Sequence, residues 1–152
     1  MRRKDREITD KQRLQNLVRD ADVCRVAFLD TPFPYVLPFT FVYLENALYM
    51  HIAPVGRKLE LIRHDPHVAW EVDCLTRIKQ AEKACGWGCD YESVVGTGIA
   101  SVITDETEKR TVLIAFMAKY SGRTDWTFTS ADLENVSVLK IAIEDMTGKS
   151  TF

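Results

Sequence analysis

The chain has 152 residues, enough for one domain, residues 1–152, that buries a core without staples. An apolar share of 46%, a charged share of 28% and a net charge of −2 are those of an ordinary globular protein and give no general attraction to nucleic acid or an anionic membrane. The charged start over 1–7 has no apolar run behind it, and no stretch of about 18 apolar residues occurs anywhere, so neither a secretory signal nor a membrane span is expected and the protein reads as cytoplasmic.

Thr9 followed by Gln12 forms a capping-box pattern, and Ile8, Leu14, Leu17, Val18 and Ala21 fall near one face, which predicts a helix over 10–19. Residues 23–29 (VCRVAFL) read as a strand, and Thr31-Pro32-Phe33-Pro34 returns the chain into a long aromatic and β-branched run over 35–44, its antiparallel neighbour. Glu45-Asn46 turns into a third strand over 47–52, followed by a short helix over 57–63 that Asp65-Pro66 stops. A fourth strand is predicted over 67–73. The segment 75–90, rich in Lys, Gln, Gly and Cys, reads as an excursion between strands. Residues 91–104 form a long strand in which Gly96 and Gly98 suggest a bulge or a close backbone approach. Asp105 caps a helix reaching about residue 119 with Val112, Leu113, Phe116 and Met117 on its buried side, and 136–143 (VSVLKIAI) alternates strictly as a last strand.

Six strands in meander-like order, one helix after the third and another before the last, predict a mainly β fold with peripheral helices, a six-stranded antiparallel barrel. A dinucleotide-binding α/β fold is disfavoured, because Gly96-Thr97-Gly98 does not extend to G-x-G-x-x-G and no helix opens behind it. The four cysteines are read as reduced thiols. Cys85 and Cys89 form a C-x-x-x-C without the second close pair of a structural zinc site, so no metal is expected, and Cys24 and Cys74 are read as small core residues.

The strand ending Tyr49-Met50-His51-Ile52, followed by Gly56-Arg57-Lys58 at a helix start, carries the most chemistry. A helix N-terminus offers unpaired N–H groups and the positive end of its dipole, and Arg57 and Lys58 add two charges, so the junction reads as a phosphate grip. Two adjacent cations that merely solvate a helix start are the plainer alternative. His51 is likewise either a hydrogen-bonded core histidine or a polar group beside the bound phosphate compound.

In this order PYVLPFTFVY, LYMHIAPVGRKLELI, HDPHVAWEV and YESVVGTGIASVITDETEK resemble the pyridoxamine 5'-phosphate oxidase-like FMN-binding split barrels, and within them the nitroimidazole-resistance (Nim) branch. The resemblance implies a homodimer with FMN at the subunit interface, the FMN phosphate on Arg57 and Lys58, and the ring along Pro38, Phe39 and Thr40 and next to His51 and Ile52, with Ser93 bordering it. Tyr35, Phe41, Tyr43 and Val95 are the candidates for the dimer contact. The true pyridoxamine phosphate oxidases close with an Arg-x-x-Arg-Leu-like segment that is not found before Phe152, so that reaction is not expected. Gly56 stands where many members have Ser, which removes a hydroxyl donor and keeps the backbone N–H.

The function expected from the resemblance is an FMN-dependent oxidoreductase that passes electrons from a reduced nicotinamide or other donor to a small organic acceptor such as a nitro-aromatic compound, with His51 as the candidate proton donor. A non-catalytic flavin-binding module, or a split barrel holding haem or a deazaflavin, are the alternatives.

Overall fold

The computed structural model describes residues 3–152. Eight strands, β1 (Glu7–Ile8), β2 (Val23–Phe28), β3 (Tyr35–Thr40), β4 (Val42–Leu44), β5 (Ala47–Ile52), β6 (His67–Lys79), β7 (Gly88–Ile103) and β8 (Ser137–Ser150), form one antiparallel sheet in the order β3-β2-β6-β7-β8-β5-β4, with β1 added to β8. Four α-helices accompany it: α1 (Lys11–Asp20), α2 (Arg57–His64), α3 (Glu106–Ser121) and α4 (Ser130–Glu134). β3 and β4 lie at opposite ends of the sheet yet are separated in sequence only by Phe41, so the sheet curls until its ends meet in a split barrel.

The predicted barrel is present with two strands more than expected. One is the short β1. The other comes from the predicted strand over 35–44, which is broken at Phe41 because its halves pair with different partners, β3 with β2 and β4 with β5. The peptide groups freed at the break are taken by α3. The Phe41 N–H donates to Tyr120 Oη at 2.9 Å, that hydroxyl donates to the Asp22 carbonyl at 2.8 Å, and Lys119 Nζ donates to the carbonyls of Ala21 at 2.6 Å and Phe41 at 3.1 Å. A polar group removed from water without such a partner is destabilising, so this clasp fixes where β3 ends.

β5 separates two cores. Leu48, Met50 and Ile52 face the barrel interior, where they join Cys24, Val26, Phe28, Trp70, Val72, Val94, Leu139 and Ile141. Ala47 and Tyr49 face the other way, into a second cluster with Ile103, Val112, Leu113, Leu133 and Val138. Burial on both faces explains why β5 is almost uninterruptedly apolar. By the same alternation His51 belongs to the second face, at its exposed end.

Other expectations shift. Asp10, not Thr9, is the N-cap of α1; its Oδ1 accepts from the Gln12 and Arg13 N–H groups at 2.8 and 3.4 Å. The supposed excursion over 75–90 is mostly a continued β6–β7 hairpin, pinned by the buried Asp90 carboxylate, which Lys79 Nζ meets at 2.5 Å and Arg77 Nη2 at 2.7 Å. The Lys79 hydrogen bond leads in holding the Asp90 carboxyl below its ordinary range. Cys24 is buried, and burial pushes its thiol up to about 12; Cys74 is exposed, because β6 has by then left the barrel. The expected bulge is found as a register shift between Thr97 and Gly98, and Gly96 leaves no room for a side chain, since a Cβ there would lie 2.3 Å from the Trp70 ring. α3 buries Val112 and Leu113 as expected, with Phe116 and Met117 half-buried.

Candidate functional site

Two of the strand edges that have no strand partner among the described residues border the start of α2. β3 pairs with β2 alone, and the end of β5, from Met50 to Ile52, pairs with β8 alone, because β4 reaches only as far as Tyr49. Every second residue of an antiparallel edge turns its N–H and C=O outward, so both edges offer backbone donors and acceptors. Pro38 is the exception, lacking an N–H.

Four residues beyond Ile52, Gly56 caps α2 with φ at 122°, a backbone setting that favours glycine, and a Cβ there would come no nearer than 4.0 Å to another atom. The first N–H groups of α2 are therefore open, flanked by Arg57 and the half-buried Lys58. Arg57 is held from the side. Its Nη2 meets Asp30 Oδ2 at 2.5 Å and its guanidinium lies 5.3 Å from the Tyr35 ring, while the Asp30 side chain is only 13% exposed and takes the Thr31 N–H at 2.8 Å. Asp30 lies in a Thr-Pro turn with no sequence signal of its own; only the folded chain places it against the helix start.

The remaining predicted residues divide by the direction of their side chains. Phe39 points inward and packs edge-on against Phe28 at 6.4 Å, and Ile52 is buried in the barrel core, so both can serve a ligand through backbone groups alone. Pro38 and Thr40 point to the outer face of the sheet, opposite Arg25 and Val23. Ser93 also lies on the outer face, between Asp73 and Lys149, but two strands separate its strand from β3, so one chain does not bring Ser93 to the grip. On that face Arg25 Nη1 reaches Glu71 Oε2 at 3.0 Å and Asp73 Oδ1 at 2.5 Å, and burial raises the Glu71 carboxyl above its ordinary value.

His51 is exposed and makes no hydrogen bond among the described residues. Its ring borders a cleft of about 510 Å³ with Leu113, Phe116 and Met117 of α3, Trp126, Thr127 and Phe128 of the following segment, and Asp132, Asn135 and Val136. The sequence offered α3 only as a packing helix; that its outer turns and the segment behind it border an open cleft beside His51 becomes visible when β8 returns beside β5.

Of the dimer candidates, Phe41 and Tyr43 are buried within the chain and Tyr35 is half-buried against the barrel core, so these three are core residues here; Val95 is 51% exposed on the outer face. Among the described residues no three His, Cys, Asp or Glu side chains gather as a metal site, and no helix is long and apolar enough to cross a membrane.

The family model described as pyridoxamine 5'-phosphate oxidase matches residues 10–150. A crystal structure of a candidate 5-nitroimidazole antibiotic resistance protein from Bacteroides thetaiotaomicron is 31% identical, with 95% of this chain and 86% of that one covered at a TM-score of 0.82. An FAD and haem binding protein from Mycobacterium smegmatis shares the fold at 21% identity, with 95% and 73% covered and a TM-score of 0.82. An FAD-binding protein from Mesorhizobium loti does so at 24% identity, with 97% and 98% covered and a TM-score of 0.70. No curated protein matches the chain. A split barrel with two open strand edges beside a basic helix start, matched over nearly its whole length, places this chain in the pyridoxamine 5'-phosphate oxidase family of flavin-binding split barrels.

Proposed function

We propose that the protein is an FMN-dependent oxidoreductase, active as a homodimer, that reduces a small nitro-aromatic or similar organic acceptor. The observation that carries this reading is the junction of β5 and α2: an open helix N-terminus with Arg57 and Lys58 beside it, next to two unpaired strand edges. That donor set fits a flavin mononucleotide, whose phosphate suits the grip and whose ring edge suits backbone N–H and C=O groups. Haem fits it less well, since it carries no phosphate for a helix start; a deazaflavin, the other alternative, is separated from FMN by the mass of the released cofactor. The 31% identity to the candidate nitroimidazole-resistance protein supports the choice of acceptor.

Bound flavin would supply two-electron chemistry between a reduced nicotinamide, or another donor, and the acceptor. The chain would do the rest. Arg57 and Lys58 bind the phosphate, Asp30 keeps the Arg57 fork at the helix start, and β3 and the end of β5 orient the ring through their backbones. His51, exposed and without a hydrogen bond among the described residues, presents an uncommitted imidazole as the candidate proton donor to the acceptor. Pro38, Thr40 and Ser93 share the outer face, where a second subunit's sheet would complete the ring's surroundings.

His51→Ala tests the catalytic part. With His51 as proton donor, the variant keeps its flavin spectrum and FMN affinity while reoxidation by a nitro-aromatic acceptor slows by about 10²–10⁴-fold. Unchanged reoxidation together with weakened FMN binding would move His51 to the cofactor shell. A purified dimer whose cofactor, released by denaturation and weighed by mass spectrometry, is not FMN would refute the cofactor assignment.

A further inference from the structure

The cleft beside His51 has the features of a built small-molecule site. Its volume of about 510 Å³ lies within the roughly 300–1,000 Å³ of known small-molecule pockets. Its lining is mostly apolar and includes three aromatic rings, Phe116 from α3 and Trp126 and Phe128 from the segment that follows it. Aromatic faces are electron-rich, and they stack best on flat, electron-poor rings.

The walls are fixed in advance. The Trp126 indole donates to Ser121 Oγ at 3.0 Å, and the Arg123 guanidinium covers its ring at 4.9 Å. Arg110 of α3 donates to the Phe128 carbonyl, which ties the segment back to the helix. Thr129 and Asp132 close a capping box, with Asp132 Oδ2 accepting from the Thr129 N–H at 2.8 Å and hydroxyl at 2.7 Å. Little ordering is left for a ligand to impose, which favours binding.

The polar groups of the cleft are unequally engaged. The Asp132 carboxylate serves the capping box and the Asn135 amide donates to the Ala131 carbonyl at 2.9 Å. The His51 imidazole has no hydrogen bond among the described residues and stands at the β5 end of the cleft.

We propose that this cleft seats a flat, electron-poor aromatic acceptor of one or two rings, clamped by Phe116, Trp126 and Phe128, with a hydrogen-bond-accepting substituent directed to His51. The redox use of the site rests on the oxidoreductase function proposed for the protein; the binding itself does not. The aromatic walls, and not His51, then decide which acceptors are taken.

Calorimetric titration of the purified, cofactor-loaded protein with 4-nitrobenzyl alcohol, and separately with nitromethane, tests the assignment. The aromatic probe binds saturably and nitromethane, which has the same nitro group without a ring, does not. Trp126→Ala and Phe116→Ala weaken the aromatic probe by about tenfold, whereas Trp126→Phe, which keeps a flat wall, restores most of the binding. Circular dichroism and flavin content of each variant are measured alongside, so that a folding defect is recognised and the Phe variant carries the comparison. Equal affinity in the parent and both Ala variants overturns the proposal. So does a probe that binds the cofactor-free protein and is displaced by FMN, for the cleft would then belong to the flavin ring. If the protein carries no flavin but binds the probe through Trp126, the oxidoreductase reading fails and the cleft assignment stands.

Discussion

Arg57 is held by an acid before any phosphate arrives. Asp30 neutralises part of its charge, yet the carboxylate occupies one side of the fork and Tyr35 lies against the guanidinium face, so the helix-facing side stays available and the long side chain loses little freedom on binding. Lys58 has no ion pair among the described residues and brings its charge unshared. Replacing both, Arg57→Ala with Lys58→Ala, should weaken FMN by about 1.5–3 kcal/mol for each charge-assisted hydrogen bond to the phosphate that is removed, while riboflavin, which lacks the phosphate, changes little. Fluorescence titration of the two ligands checks this, and equal losses for both would mean that the pair does not hold the phosphate. At this scale the helix start was legible: Gly56, Arg57 and Lys58 come after a strand and open an apolar helical repeat, and Gly56 caps α2. The acid that positions Arg57 was not legible, because Asp30 meets it only after β2 has folded against α2.

The junction at Phe41 decides the shape of the site at the level of elements. It lets β3 and β4 leave one continuous segment for opposite ends of the sheet, and α3 holds it with one hydroxyl and one ammonium. Burial lowers the pKa of Lys119, so its folded form loses its proton more readily than the unfolded one. That cost to folding is present at neutral pH and is relieved as pH rises through the folded pKa toward the ordinary lysine value. Tyr120→Phe leaves the Phe41 N–H without its acceptor and should destabilise the protein by about 1–3 kcal/mol, with a fall in flavin affinity as the β3 edge loosens. Denaturant unfolding with and without FMN separates the two effects; a variant with parental stability would show that water replaces the hydroxyl. The break was hidden in the sequence because Thr40, Phe41 and Val42 are all good strand formers, and only the partners of each half reveal it. The β6–β7 arm was missed for the converse reason. Its Lys, Gln and Gly composition suggests a loop, but cross-strand pairing of Arg77 and Lys79 with Asp90 keeps it extended. The short α4 has too few residues to show a helical period, whereas the alternation over 136–143 marked the start of β8.

At the scale of the whole molecule, the outer face of β3-β2-β6-β7 has no cover among the described residues. Its rungs, read across the sheet, are Val36–Ala27–Ala69–Thr97 and Pro38–Arg25–Glu71–Val95, small and apolar residues around one bridged cation. Val36 is 54% and Val95 51% exposed, and a shallow hollow lined by Ala27, Leu29, Pro34 and Ala69 lies beside them. Small residues allow a second sheet to approach closely, and a two-fold interface would bring the partner's copies of Pro38, Thr40 and Ser93 over the open edges. Val95→Lys tests this with little injury to the single chain. The new ammonium stands directly across from Glu71, so an isolated subunit gains an opposite-charge neighbour, whereas a subunit packed through this face must bury a lysine stem and charge beside its twin. The expected result is a folded monomer by light scattering that has lost most of its FMN, since each flavin would then lack half of its surroundings. A variant that remains dimeric with full cofactor occupancy would place the interface on another face, and a parent protein that is monomeric yet fully loaded would remove the homodimer altogether.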